Sequence, residues 1–231
     1  MVELPILFIS ASITVTPEDP IPVTLMEEGR VFTDLIPMSE VHGAIMVPIT
    51  VAILAALAGL FVVLDAAEAD RRLSLTRFTP GEILLVRVAA VLVAAMVATA
   101  VSIAVTAVSL SPRGWLMFIV ANLIVAITYA LIGAIVGPML GRLGGLYVLL
   151  LLPFLDLGVA QNPMFDAAPP AWAVLLPGYG AVRVMNDAAF TASFDDWFGL
   201  WLALAWLAVL GAAAWLAFRR VAVRVRVTPA V

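Results

Sequence analysis

The chain has 231 residues, of which 64% are apolar and 12% charged, with a mean hydropathy of +1.14. Soluble domains are about half apolar and a quarter charged, so this chain lacks the polar surface to cover a soluble core, and it is too apolar for disorder. It has no cysteine and no lysine, its twelve basic residues being arginines, and a single histidine, His42. That excludes thiol and Schiff-base chemistry, a Walker-type phosphate loop and a His-rich metal centre. A net charge of −4 offers no basic footprint for nucleic acid. What remains is an all-α, polytopic transmembrane helical bundle, read as one transmembrane domain over 1–231 with no catalytic, cofactor or metal residues of its own.

In chain order, residues 4–15 are apolar and of signal-peptide length, but Glu3 stands where a positive region belongs. They read better as the outer tail of a longer span. Residues 16–22 (TPEDPIP) then form a proline-stiffened exit into an outer loop. A bilayer core needs about 20 apolar residues as helix. Uncharged stretches of 22, 23, 28 and 22 residues occur at 43–64, 88–110, 114–141 and 197–218. Their uninterrupted apolarity predicts helices, because strands would alternate and none of these does. A fifth stretch, 143–155, becomes long enough only when extended through Asp156 to Gln161. Five spans are therefore expected, at about 43–64, 88–110, 114–137, 143–161 and 197–218.

Arginine placement sets the orientation. With the C-terminus inside, the inner segments hold Arg71, Arg72, Arg77, Arg87, Arg142, Arg219, Arg220, Arg224 and Arg226. Only Arg30, Arg113 and Arg183 fall outside, where the acidic residues collect. This predicts a multi-pass protein of a prokaryotic cell membrane with a cytoplasmic C-terminus.

The inner segment 65–82 reads DAAEADRRLSLTRFTPGE. Glu68 and Arg72 are spaced i,i+4 with the acid leading, the favourable order on a helix. Pro80 disfavours helix at Thr79 and can open the next one. Two readings stand here: a solvated connector whose arginines set topology, or a short surface helix that touches a partner.

The order of this charged segment, Leu73, the pair Thr79-Pro80 and an arginine leading a long Ala/Val span resembles type-2 ATP-binding-cassette exporter permeases. Those proteins carry Gly-Thr where Arg71-Arg72 stand here. Gln161-Asn162-Pro163, Pro169-Pro170-Ala171-Trp172 and Leu176-Pro177-Gly178-Tyr179 resemble the outer loop before their last span. The resemblance covers roughly residues 1–220. It implies six spans, the first truncated here, with 4–15 as its remnant. It also implies an exporter subunit that is not itself an enzyme. ATP would sit on a separate ATPase subunit, and a second permease copy or homologue would complete a homodimer or heterodimer. Glu68, Asp70, Arg71, Arg72, Leu73, Thr79 and Pro80 become the implied ATPase-coupling loop.

Gly133, Gly137 and Gly141 form overlapping GxxxG steps, which predict close helix packing, within the chain or across a dimer or gate. Pro138 is expected to kink or end that helix, with Arg142-Leu143-Gly144-Gly145 as an inner turn. Asp156 is the one acid inside a span. It reads either as an outer-interface residue at a helix that ends near Pro153, or as part of a substrate path or proton site, the basis of an ion-coupled transporter alternative.

Overall fold

A computed structural model describes residues 17–27, 29–73, 80–108 and 110–227. Side chains of 66–85, 87 and those beyond 217 lie outside the description. The elements are β1 (Pro20–Glu27), β2 (Arg30–Pro37), α1 (Met38–Leu73), α2 (Pro80–Thr106), α3 (Trp115–Pro153), a π-helical turn (Phe154–Ala160), a 3-10 turn (Ala171–Leu175), α4 (Tyr179–Phe190) and α5 (Trp197–Val227). Among the described residues, four helices are long and apolar enough to cross a membrane: Met38–Asp65, Val88–Thr106, Trp115–Ala160 and Trp197–Ala217. The chain is a helical membrane protein with one small sheet.

Two sequence expectations need correction at the first loop. Residues 20–37 are an antiparallel hairpin, with Thr24 opposite Thr33 and Gly29 at φ 72° in the turn. Val23, Leu25 and Ile36 are buried on its inner side. The first span also starts five residues earlier than expected, at Met38, because β2 runs directly into α1. At its far end α1 stays helical through Leu73, so the first part of the charged segment is a continuation of the span and not a separate surface helix. The second span ends at Thr106, short of the expected 110.

The expected third and fourth spans form one helical run that doubles back. It passes through Pro138 and breaks at Gly141, which has φ 69° and ψ −170°. That conformation is essentially closed to residues with a Cβ, which is why the break falls on the glycine and not on the proline. The reversal shows in the packing: Leu60 Cδ1 lies against both Gly137 and Gly145. On a straight helix those two positions would be about 12 Å apart. The first arm (115–140) runs parallel to α1, with Gly59 on Ala130 and Gly133 on Ala56. The second arm (142–160) runs back, with Gly145 at Leu60 and Gly158 at Ile49.

At Gly59 and Gly133 an added Cβ would collide with the opposing main-chain carbonyl. Packing and not hydrophobicity holds helices together in lipid, so this close approach is the core contact of the bundle. Gly137 packs on the Leu60 and Leu64 side chains, whereas Gly141 has open space around it. α2 and α5 lie outside this core and expose apolar side chains such as Val93, Met96, Trp201 and Val209. The two ends of the bundle differ. One holds the hairpin, joined to the later loop by the Thr24 N–H to Ala167 O bond of 3.0 Å. The other holds Arg142, 3.7 Å from Asp65 and over the Phe61 ring.

Candidate functional site

The segment 162–196 was expected to be a plain outer loop, and instead it carries a helix that returns into the bundle. The C-terminal end of α4 meets the mouth of α3, where the Gly114 N–H donates to Ala188 O at 2.7 Å and that of Arg113 to Ala189 O at 3.2 Å. Its N-terminal end lies far below: Gly178 packs on Tyr129, Asp156 and Leu157. Tyr129 is fourteen residues along α3, about 20 Å from its start. Gly180 meanwhile packs on the backbone of Gly199 and Ala203 in α5. Thus α4 is re-entrant, antiparallel to the first arm of α3 and to α5.

A helix that starts at this depth leaves N–H donors where water cannot reach them. The local sequence Leu176-Pro177-Gly178-Tyr179 answers this residue by residue. Pro177 has no N–H. Tyr179 donates to Leu176 O at 3.2 Å. Gly178 donates to Asp156 Oδ2 at 3.0 Å. The carboxylate thus sits at the positive end of the α4 dipole, where a negative charge is stabilised. Glycine suits the position, because a Cβ at 178 would have to displace the Leu157 side chain and would crowd Asp156 and Tyr129.

Two more donors close around the same carboxylate. The Tyr129 hydroxyl donates to Oδ2 and the Gln161 amide to Oδ1. Pro153 cannot donate to the ladder, and the next seven residues take the wider π register. That register brings Gln161, five residues on, back over Asp156. Asp156 and Gln161 are each only 2% exposed. Gln161 Oε1 finds no hydrogen-bond partner among the described residues. Asn162 extends the arrangement by turning the following loop: its amide donates to Gly158 O and its carbonyl accepts the Met164 N–H. Met164 then reaches His42, with the sulfur 3.1 Å from Nδ1.

The corner between α4 and α5 is a second set of paired acids. Asp187 accepts the N–H groups of Asp195 and Asp196 on Oδ2, at 2.9 and 3.1 Å, and the Thr191 hydroxyl on Oδ1. Burial pushes its pKa above the ordinary carboxylate value, the charge of Asp196 adds to that, and the donated hydrogen bonds pull the other way. Asp196 caps α5 through the Gly199 N–H at 2.9 Å and pairs with Arg183 Nε at 2.6 Å. The Asp187 bonds to Asp195 and Asp196 and the Arg183–Asp196 pair hold α4 to α5, while the Thr191 and Gly199 bonds cap the two helix ends.

Asp156, one of the residues singled out from the sequence, is therefore the centre of a closed polar cluster, and it faces neither the outer solvent nor the apolar cleft between α1, α2, α3 and α5. Tyr129, Gln161 and Gly178 join it, and the sequence reading gave none of them this role. Of the coupling-loop residues, Glu68, Asp70, Arg71, Arg72 and Leu73 are in the helical backbone of α1 and Pro80 opens α2, their side chains lying outside the described residues, as does Thr79. Gly133 and Gly137 pack on α1, away from Asp156. No group of three or more His, Asp or Glu that could hold a metal occurs among the described residues. No protein-family model matches the chain, and no curated protein or solved structure is detectably similar to it.

Proposed function

We propose that the chain is the membrane permease subunit of an ATP-driven exporter, with a separate subunit hydrolysing the ATP and a second permease completing the substrate path. The reading rests on the order of segments in the sequence, and one observation carries it further. α1 extends past its apolar part to Leu73 as unbroken helix, so Glu68, Asp70, Arg71 and Arg72 stand on the same rod that packs along α3. A partner that presses on this end moves the bundle core directly and does not have to act through a slack loop. Both charge signs are present there, as a complementary polar contact requires.

The test is the double reversal Glu68→Arg with Arg72→Glu, which keeps the mutual i,i+4 pair and inverts what a partner meets. The variant is expected to insert normally and to lose co-purification with a co-expressed ATPase subunit. Retained binding and wild-type stimulation of ATP hydrolysis would show that the segment only sets topology.

A second reading, an ion-coupled transporter, is favoured by one feature: the unpaired Gln161 Oε1 beside a buried carboxylate. It demands that Asp156→Asn abolish the pH or ion dependence of transport in protein that still folds. The exporter reading expects that dependence to be unchanged.

A further inference from the structure

Other glycines within the spans have a visible reason for being glycine: a backbone approach at Gly59 and Gly133, a tight side chain at Gly137 and Gly145, or a positive φ at Gly141. Gly211 in α5 has none of these: a Cβ there would meet nothing within 4 Å. Glycine inside a helix weakens it relative to alanine, so the missing side chain needs another explanation. Gly211 borders a cleft of about 260 Å³ enclosed by α1, α2, α3 and α5, and Val63, Val91, Ala134, Ala214 and Trp215 form its walls. Every lining residue is apolar.

Such a space does not hold water, which needs two to four polar partners. Left empty, its lining forfeits dispersion contacts on one side. Apolar cavities of about 150 Å³ already accept a benzene ring, so this one takes a longer piece of hydrocarbon. Its surroundings supply one kind of filler. The cleft lies between α2 and α5, the two spans least buried within the protein, whose exposed apolar side chains make its rim part of the surface that meets the bilayer. It sits in the half of the bundle nearer Gly141, level with Val63 and Ala134.

We propose that this cleft is a binding site for one acyl chain of a membrane phospholipid, held between α2 and α5 and kept open by the absence of a side chain at Gly211. The chain inserts as an integral part of the packing, closing the gap that leaves α5 with little direct burial against the core.

The site can be filled from within. Gly211→Leu enters open space, so it is expected to fold with unchanged or higher thermal stability while taking the volume of the lipid chain. Full-length protein is purified in detergent, delipidated, supplied with phosphatidylglycerol and read by native mass spectrometry alongside thermal unfolding. Wild type is expected to retain a phospholipid under conditions that strip surface lipid. Gly211→Leu should weaken that retention by about tenfold or more, and Ala214→Leu on the same wall should act in the same direction. Val209→Leu, on the exposed face, should leave it unchanged. A wild-type protein that retains no phospholipid, or a folded Gly211→Leu that holds it as tightly, overturns the proposal. A shift from dimer to monomer in Gly211→Leu with lipid retention unaltered also overturns it, by assigning the cleft to a second copy of the chain.

Discussion

Asp156 shows how neutral hydrogen-bond donors can surround a carboxylate at bilayer depth. A lone charge there is costly, and the chain answers with three donors drawn from three places: a hydroxyl on the first arm of α3, an amide one π turn away and a main-chain N–H at the root of α4. The donors differ in what their loss does. Tyr129→Phe removes one hydrogen bond and keeps the ring, so it should cost about 1–2 kcal/mol, seen as a lower unfolding temperature in detergent. Gly178→Ala presses a methyl into Leu157, Asp156 and Tyr129 together, and about 2 kcal/mol or more is expected. If Gly178→Ala proved the milder of the two, α4 would not be seated on the cluster as described. The sequence singled out Asp156 because an acid in an apolar run is visible on its own. Its partners were not legible, since two of the three lie 22 and 27 residues away and reach it only through two reversals of the chain.

Elements that depend on long apolar runs were legible and those that depend on short ones were not. The spans follow from composition, because in lipid an uninterrupted apolar segment has little choice but helix. The hairpin is masked in the sequence although Ile21, Val23 and Leu25 alternate, because Pro20, Pro22 and Pro37 interrupt so short a pattern. In α4 the buried Ala181, Val182, Met185, Ala188 and Ala189 have helical spacing, but twelve residues are too few to register as a span. The GxxxG pattern pointed to close packing, yet the α1 backbone that Gly133 meets, at Ala56 and Leu60, could not be named without the register of α1 against α3. Two substitutions separate the tasks of these glycines. Gly59→Leu drives a side chain into the Ala130 carbonyl and should cost several kcal/mol, about 2–4. Gly141→Ala has free space but the wrong φ, and about 1–3 kcal/mol is expected from backbone strain alone. Both are measured by thermal unfolding, and a neutral Gly59→Leu would refute the parallel packing of α1 on α3.

For the whole molecule, the doubled-back α3 sets which loops share a side. The hairpin, residues 111–114, the loop around Ala167 and the α4–α5 corner lie together at one end, while Gly141 and Asp65 lie at the other. The arginine bias predicts that the first group lies outside. Because the native chain has no cysteine, single cysteines report this cleanly. Ser111→Cys and Ala192→Cys, both at exposed positions, should react with an impermeant thiol reagent in intact cells, and Thr228→Cys should not. Labelling of Thr228→Cys from outside would invert the molecule and remove the exporter reading with it.

The spacing within the Asp156 cluster also fixes an order of assembly. Gln161 is five residues away and can reach the carboxylate as soon as the π turn forms. Tyr129 arrives only when the two arms of α3 have closed at Gly141, which converts a separation of 27 residues into a contact. The Gly178 N–H comes last, because α4 has to drop back between helices that are already standing, and α5 is synthesised after it. Each step adds a donor to the same acid, and each closure shortens the open loop left for the next. A chain in which α4 is not yet seated therefore carries a partly satisfied carboxylate inside an apolar hairpin.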